Sequence, residues 1–164
     1  MVRALVVALG LTLAIAGLTA CEPPNYAKCP AKGADEVRVA VVVDARALGG
    51  TTDVVCVVVP TGSDGLDALR ARSDRTGTAM PRINPQNGLV CGIDGRPAAP
   101  ACGGNGPNGP EYWSYWLGGT TWRYATVGPG TRTVSDQTVD GWRFLKGGPQ
   151  SPPNTSSAFA DITS

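Results

Sequence analysis

Aromatic side chains are the residues of this chain best suited to contact a ligand, and most of them lie in one short stretch. Residues 111–128 read EYWSYWLGGTTWRYATVG and hold six of the ten aromatic residues. Exposed aromatic rings beside an arginine are common at binding surfaces. Rings of this size also fill the cores of small domains. Whether these rings contact a ligand or fill the core depends on the strands and helices that position them.

Catalytic groups are scarce. The chain contains no histidine, so a Ser–His or Cys–His pair that would activate a nucleophile is excluded. The carboxylates of Asp44, Asp94 and Glu111 occur singly, next to strands or turns, where such groups usually cap or solvate the backbone. A hydrolase with a pair of carboxylates stays open as an alternative. We expect a protein that is not an enzyme.

The cysteine pattern predicts disulfides and no metal. Four cysteines follow residue 21, namely Cys29, Cys56, Cys91 and Cys102, and an even number in an exported chain favours two disulfides. They form no Cys-x-x-Cys motif, and without histidine a zinc site is not expected. We expect no metal and no other cofactor. Three pairings are possible, and we favour Cys91–Cys102, which closes a Gly/Pro-rich loop and leaves Cys29 with Cys56.

The N-terminus has the pattern of an export signal. One basic residue, Arg3, precedes an apolar run at residues 4–18, which is shorter than the roughly 20 residues that span a bilayer. The run ends in LTAC at residues 18–21, which resembles the bacterial lipoprotein box, in which the cysteine becomes acylated. We therefore expect a signal peptide at 1–20 and a lipoprotein held through Cys21 on the outer face of the cytoplasmic membrane. Secretion after ordinary cleavage is the alternative.

The charge balance argues against nucleic acid as a partner. Loss of the leader removes Arg3 from 14 basic residues, which leaves 13 basic against 13 acidic residues. A near-neutral chain lacks the charge that phosphate backbones attract. The densest basic segment, residues 70–82, is interrupted by Asp74 and is expected to be a solvated helix face.

Residue patterns predict the order of the elements. A tether at 21–36 precedes two valine-rich strands at 37–44 and 53–59, and a helix capped by Ser63 or Asp64 fades by Ser73. The remaining predicted segments are a strand at 89–93, a Gly/Pro-rich loop at 96–110, strands at 112–117 and 121–126, a last strand at 140–145 and a disordered tail at 147–164.

The strands at 112–117 and 121–126 form an aromatic hairpin, whose faces carry different predictions. With a turn at Gly119 and Thr120, one face holds five side chains that we assign to the core with Trp142 and Phe144: Trp113, Tyr115, Leu117, Trp122 and Tyr124. The other face holds Tyr112, Trp116 and Arg123, which are our candidate ligand-binding residues. Trp116 would lie opposite Arg123, at a cation–π distance. The alternative for this second face is that the 96–110 loop covers it.

Five motifs in this order resemble a known family. They are GLDAL at 65–69, VCGIDG at 90–95, YWSYWLGG at 112–119, VG at 127–128, and DQTV followed by GWRF at 136–144. Over residues 37–146 the chain resembles the transcobalamin C-terminal-like domain, in particular its small, disulfide-bearing members exported by high-GC Gram-positive bacteria. The resemblance implies an α+β fold in which a β-grasp-like mixed sheet packs on one helix and is stabilised by disulfides.

The resemblance also implies a function. It points to a membrane-anchored binding module, accessory to the uptake of cobalamin, cobalt or a related vitamin. The partners implied are a corrinoid or a component of an energy-coupling-factor transporter, in addition to the lipid membrane. A structural or interaction protein of the cell envelope, which binds wall glycan or a protein partner through the same rings, is the alternative.

Overall fold

The computed structural model describes residues 24–164 of the chain. The predicted signal peptide and Cys21 lie outside the described residues. Within residues 24–164, no helix has the length and apolar character to cross a bilayer.

Most elements are strands. In chain order they are β1 (Glu36–Asp44), β2 (Thr52–Pro60), α1 (Gly65–Thr76), β3 (Arg82–Ile83), β4 (Val90–Gly92), β5 (Gly104–Gly106), β6 (Gly109–Leu117), β7 (Arg123–Tyr124), β8 (Thr138–Lys146) and α2 (Phe159–Ile162). Short 3₁₀ turns lie at Arg46–Leu48 and Pro129–Thr131.

The main sheet confirms the predicted fold class. Its strand order is β2-β1-β8-β6-β5, and β7 pairs with β6 beyond this path. The long first and last strands, β1 and β8, are adjacent and parallel, whereas the other neighbours are antiparallel. The core between the sheet and α1 contains the odd-numbered valines of β1 together with Leu66 and Leu69 of the helix. This is the β-grasp-like arrangement of a mixed sheet on one helix.

Helix α1 begins at the predicted cap and ends later than expected. The Asp64 carboxylate accepts hydrogen bonds from the N–H groups of Leu66 and Asp67, and the Asp67 carboxylate accepts one from the N–H of Asp64. The helix ends at Thr76, because Gly77 takes the left-handed conformation that closes the last turn.

Arg72 corrects the expectation of a solvated basic helix face. Its side chain is only 2% exposed and forms ion pairs with Asp53 at the start of β2 and with Asp94 after β4. Burial opposes the charge, but the two carboxylates outweigh it and hold the pKa of Arg72 above its usual value. These two ion pairs hold the last turns of the helix against the rest of the domain, so the helix extends past Ser73.

The predicted strand at 89–93 forms outside the main sheet. Its central part, β4, pairs with β3 in a separate two-stranded sheet. Cys91 of β4 is bonded to Cys102, and Cys29 is bonded to Cys56 of β2, so the favoured pairing is confirmed.

The C-terminal strap, defined here as residues 149–164, packs on the sheet, in contrast to the disordered tail that the sequence predicts at 147–164. It crosses the sheet face opposite α1, where Ile162 and Phe159 pack against Val42 and Val139. Its backbone carbonyls at Pro152 and Thr155 accept hydrogen bonds from side chains of the sheet region. A few apolar side chains and hydrogen bonds to its backbone carbonyls therefore hold this segment on the sheet. Its composition, rich in Pro, Ser and Asn, does not indicate these contacts.

A candidate ligand-binding cleft

The aromatic hairpin forms with a register that differs by one residue from the prediction. Trp116 pairs with Tyr124 and Leu117 pairs with Arg123. The strands are joined by residues 118–122, a longer connection than the predicted two-residue turn. Because side chains alternate across a strand, a shift of one residue moves each partner to the other face.

Part of the predicted aromatic core is confirmed. Trp113 and Tyr115 are buried on the α1 side of the sheet with Trp142 and Phe144. The Tyr115 ring stacks on Trp142 at 4.7 Å, and Trp113 meets Phe144 edge-on at 5.5 Å, both between ring centroids. Leu117 packs against the same core as a partly buried residue.

The assignment of Trp122 and Tyr124 to this core is wrong. Trp122 packs on the opposite sheet face, where its indole N–H donates to the carbonyl of Thr155 in the C-terminal strap at 3.0 Å. Tyr124 is 39% exposed and meets Trp116 edge-on at 5.3 Å. The one-residue shift of register accounts for both changes.

The three candidate ligand-binding residues do not form the expected surface. Trp116 is only 7% exposed, and its indole N–H donates to the Ser114 hydroxyl at 3.0 Å. Arg123 is exposed, but it lies opposite Leu117, so the expected pair with Trp116 is wrong. Tyr112 is half-buried beside the strap, where its hydroxyl accepts a hydrogen bond from the Gln150 amide at 2.9 Å. The strap, rather than the 96–110 loop, supplies this contact.

Tyr112 instead contributes to an open cleft next to the hairpin, which we call the aromatic cleft. Its volume is about 410 Å³, and its walls comprise five aromatic side chains and eight others: Tyr112, Trp113, Tyr115, Tyr124, Trp142, Asn87, Leu89, Val90, Ala125, Thr126, Val127, Gly128 and Pro129. Neither Trp116 nor Arg123 belongs to these walls.

The position of the aromatic cleft follows from the pairing of β6. The outer edge of this strand pairs with β5 up to Glu111 and with β7 from Trp116 onward. Between these two pairings, at residues 112–115, no strand pairs with that edge, and at its end the Tyr115 carbonyl accepts a hydrogen bond from the N–H of Ala125. The cleft lies at this gap and is bounded on its far side by the segment that leads into β4.

Two exposed residues and a pair of hydroxyls form the rim. Val127 is 51% exposed and Tyr124 is 39% exposed, which makes them two of the large apolar residues that reach solvent. The Tyr112 and Tyr124 hydroxyls lie 3.4 Å apart. Burial, together with the neighbouring Tyr112 hydroxyl, raises the pKa of Tyr124 to about 12. This phenol is therefore neutral at physiological pH and can both donate and accept a hydrogen bond.

A buried polar network supports the floor of the cleft. The Tyr115 hydroxyl donates to one oxygen of the Asp140 carboxylate at 2.7 Å, and the Arg132 guanidinium donates to the other at 2.6 Å. Burial raises the pKa of Asp140 despite the adjacent Arg132, and burial also raises the pKa of Tyr115. This network fixes the Tyr115 ring in the cleft wall.

Metal ligands are not clustered anywhere in the part of the chain that is described. No group of three or more His, Cys, Asp or Glu side chains within residues 24–164 is placed to hold a metal ion.

Sequence reasoning missed Tyr124 and Val127 as site residues. Tyr124 was placed in the core by the wrong register, and Val127 lies after the predicted hairpin. One signal was available in the sequence, namely the apolar Val127 in TVG at residues 126–128. This segment is polar and Gly-rich and lacks the two-residue alternation of a strand, so no strand accounts for the apolar residue.

A family model, described as the SCO2322-like domain, matches residues 107–164. The matched part contains the whole of β6, β7 and β8, and the C-terminal strap. A search of curated protein sequences finds no match.

Among solved structures, the chain is similar to haptocorrin, in a structure described as haptocorrin in complex with Cbi. The two share 18% sequence identity with a TM-score of 0.54 over 72% of this chain and 27% of the haptocorrin chain. At this identity the likeness shows a shared fold, and the chain spans about a quarter of the length of that protein. The two disulfides indicate an exported or extracellular protein.

Proposed function

We propose that this chain is a non-catalytic binding module, held on the outer face of the cytoplasmic membrane, that takes a small ligand in the aromatic cleft. The observation that carries the proposal is the open gap beside β6, walled by five aromatic rings. Its volume of about 410 Å³ lies within the range of roughly 300–1,000 Å³ that is typical of small-molecule sites.

A corrinoid is the ligand that we propose first. The distant relation to haptocorrin in complex with Cbi, a corrinoid, supports this choice. We propose that the open cleft holds one edge of the corrin ring. The remainder would stay accessible to a partner, and we propose a component of an energy-coupling-factor transporter for cobalamin, cobalt or a related vitamin.

The same proposal assigns residues 37–146 to the transcobalamin C-terminal-like domain and residues 21–36 to a lipidated tether. The five ordered motifs and the strand order support the assignment. It places this chain with the small exported members of high-GC Gram-positive bacteria.

A non-catalytic role agrees with the surroundings of the buried carboxylates. Asp140 is bonded to Tyr115 and Arg132, and Asp44 accepts hydrogen bonds from Arg46 and from the N–H of Asn154. Both carboxylates therefore have structural partners. The chain also lacks histidine, which most often serves as the general base.

Tryptophan fluorescence tests the proposed site, because Trp113 and Trp142 line the cleft. In a titration of the protein without its leader, we expect cobinamide to quench the emission saturably. Tyr124→Ala should weaken binding about tenfold, which corresponds to about 1.4 kcal/mol for a lost aromatic contact. Met80→Ala is the matched control, since Met80 is 53% exposed and lies outside the cleft.

The Arg123→Ala variant separates the cleft from the surface expected from the sequence. Arg123 neighbours Tyr124 in β7 but does not line the cleft. If Arg123→Ala lost binding and Tyr124→Ala kept it, the ligand would contact Arg123 outside the cleft and the cleft would be the wrong site.

Wall glycan is the second candidate ligand. The exposed ring of Tyr124 at the rim favours it, because a sugar can stack on such a ring. Pull-down of the purified protein with wall polysaccharide tests this candidate, and competition by cobinamide would place both ligands in the same cleft.

Membrane anchoring is tested separately with the full chain. In the native host we expect the wild type in the membrane fraction and Cys21→Ser in the medium or the soluble envelope fraction, since the variant cannot be acylated. Equal membrane association of the two proteins would contradict the anchor.

A further inference from the structure

The walls of the aromatic cleft contain no Asp, Glu, Lys or Arg side chain. All of the lining residues lie in the described part of the chain, and their polar side chains are three phenols, one amide and one hydroxyl: Tyr112, Tyr115, Tyr124, Asn87 and Thr126. A charged ligand group that entered this cleft would lose water and find no opposite charge on its walls. Such burial costs several kcal/mol unless the charge is paired.

Between its pairings with β5 and β7, the edge of β6 carries a backbone donor and an acceptor at Trp113, which is 3% exposed. The carbonyl of Tyr115 accepts from the N–H of Ala125 on this edge, whereas the carbonyl of Pro110 accepts from Gly147 on the β8 side. Because the direction alternates along a strand, the N–H and C=O of Trp113 point the same way as the Tyr115 carbonyl. They face the gap between β5 and β7, where the aromatic cleft lies.

We propose that the aromatic cleft selects a ligand through an uncharged carboxamide and excludes the corresponding carboxylate. This inference rests on the proposed function and specifies the chemistry of its ligand. A carboxamide has both an N–H donor and a C=O acceptor, so it can pair with both groups of Trp113. A carboxylate only accepts hydrogen bonds, so it meets the Trp113 carbonyl as a second acceptor.

The rim hydroxyls add a hydrogen-bond donor for an oxygen of the ligand. The Gln150 amide donates to the Tyr112 hydroxyl, which leaves the Tyr112 proton free to point to Tyr124 or to a ligand oxygen. Gln150 is therefore a positioning residue, which the C-terminal strap brings to the cleft.

Two sources of a neutral carboxamide fit the cleft. A corrinoid carries primary amides around its ring, and a wall glycan carries N-acetyl groups on its sugars. The shared chemistry is an amide next to an extended ring surface, and separate probes distinguish the sources.

The test compares matched probes that differ in charge. Cobinamide and cobyrinic acid share the corrin ring but carry amides and carboxylates, respectively. We expect cobinamide to quench the tryptophan emission at a concentration at least tenfold lower than cobyrinic acid at pH 7. In the second arm, an N-acetylglucosamine oligomer is compared with a glucose oligomer of the same length, and tighter binding of the N-acetylated oligomer identifies the glycan as a source.

A charge introduced at the rim provides the decisive variant. Val127→Lys places a cation at an exposed position of the cleft wall and is not expected to disturb the fold. It should bring the affinity ratio of cobinamide to cobyrinic acid close to one. Met80→Lys adds the same charge outside the cleft and should leave the ratio unchanged.

The outcomes separate this inference from the proposed function. Equal affinity for amide and carboxylate probes, or a ratio unchanged by Val127→Lys, overturns the carboxamide selectivity while the cleft remains a binding site. Absence of saturable binding of every probe overturns the proposed function and this inference together.

Discussion

The Tyr115 hydroxyl links the wall of the aromatic cleft to the start of α1. A Cβ built on Gly65, the first residue of the helix, would lie 2.6 Å from the Tyr115 oxygen and 3.0 Å from a carboxylate oxygen of Asp140. Glycine is therefore required at this position by close approach, and the helix start, Tyr115 and Asp140 pack as one unit.

Removal of this hydroxyl should cost stability. In Tyr115→Phe, the buried Asp140 loses one of its two side-chain partners, and a hydrogen bond to a charged group is worth about 1.5–3 kcal/mol. We expect a decrease of that size in the free energy of unfolding, measured in urea. Tyr124→Phe is the control, since its exposed hydroxyl should contribute less than about 0.5 kcal/mol. Equal losses in the two variants would show that the Asp140 contact is not stabilising.

At the scale of elements, the C-terminal strap packs on the face of the sheet opposite α1. Gly141 of β8 makes the close packing possible, because a Cβ there would lie 2.5 Å from the Trp122 ring and 2.9 Å from Pro153. The strap also holds Arg143, whose guanidinium donates to the carbonyl of Pro152 at 2.6 Å. The family match that extends to residue 164 includes this segment.

A methyl group at Gly141 should displace the strap. We expect Gly141→Ala to lower the stability by about 1–3 kcal/mol through overpacking and to expose the strap to limited proteolysis. Gly128→Ala is the matched control, because nothing lies within 4 Å of a Cβ at that position. A strap as protected in Gly141→Ala as in the wild type would contradict this packing.

Strap docking should also depend on pH through Asp44. Burial opposes ionisation of this carboxyl, but hydrogen bonds from Arg46 and from the N–H of Asn154 outweigh it and hold its pKa below the usual value. With a lowered pKa in the folded state, the stabilisation is complete above the unfolded pKa of about 3.9 and is lost as the pH falls below it. Asp44→Asn should therefore flatten the dependence of the urea midpoint on pH between about 5 and 3. An unchanged slope would assign the acid sensitivity to other carboxylates.

At the scale of the whole molecule, the two disulfides hold segments that have little regular structure. Cys29–Cys56 fixes the N-terminal segment to β2 across 27 residues, and Cys91–Cys102 fixes the Gly/Pro-rich loop to β4 across 11 residues. The N-terminal segment also accepts a hydrogen bond at the Tyr26 carbonyl from the N–H of Cys56. An exported protein meets the oxidising environment in which both disulfides form and persist.

The length of the closed loop predicts which disulfide contributes more to the free energy of unfolding. In the chain-entropy description each bond is worth about 3 kcal/mol, and the longer loop adds about 0.8 kcal/mol. We expect the Cys29→Ser/Cys56→Ser double variant to lose more stability than Cys91→Ser/Cys102→Ser, measured by urea unfolding under non-reducing conditions. The reverse order would mean that the loop of Cys102 contributes native contacts beyond chain entropy.

Local pattern alone determined much of the molecule. The valine runs of β1 and β2, the Asp64 cap and the four cysteines after residue 21 each depend on neighbouring residues or on composition, so the strands, the helix start and the disulfides were predictable. The ordered motifs extended this to the fold class. Trp113, Tyr115, Trp142 and Phe144 were predicted as core because they alternate along strands whose positions were correct.

The tertiary structure alone decided the site. The register of the hairpin depends on Trp122 leaving the strand to cover Gly141 and to bind Thr155, a contact between residues far apart in the sequence. With this register, Tyr124 lies opposite Trp116 and at the rim of the cleft. The order of the strap likewise depends on a sheet face that exists only after β1 and β8 have paired. Alternation along a strand specifies which residues share a face, but the partner across the sheet is chosen by the packing of the whole domain.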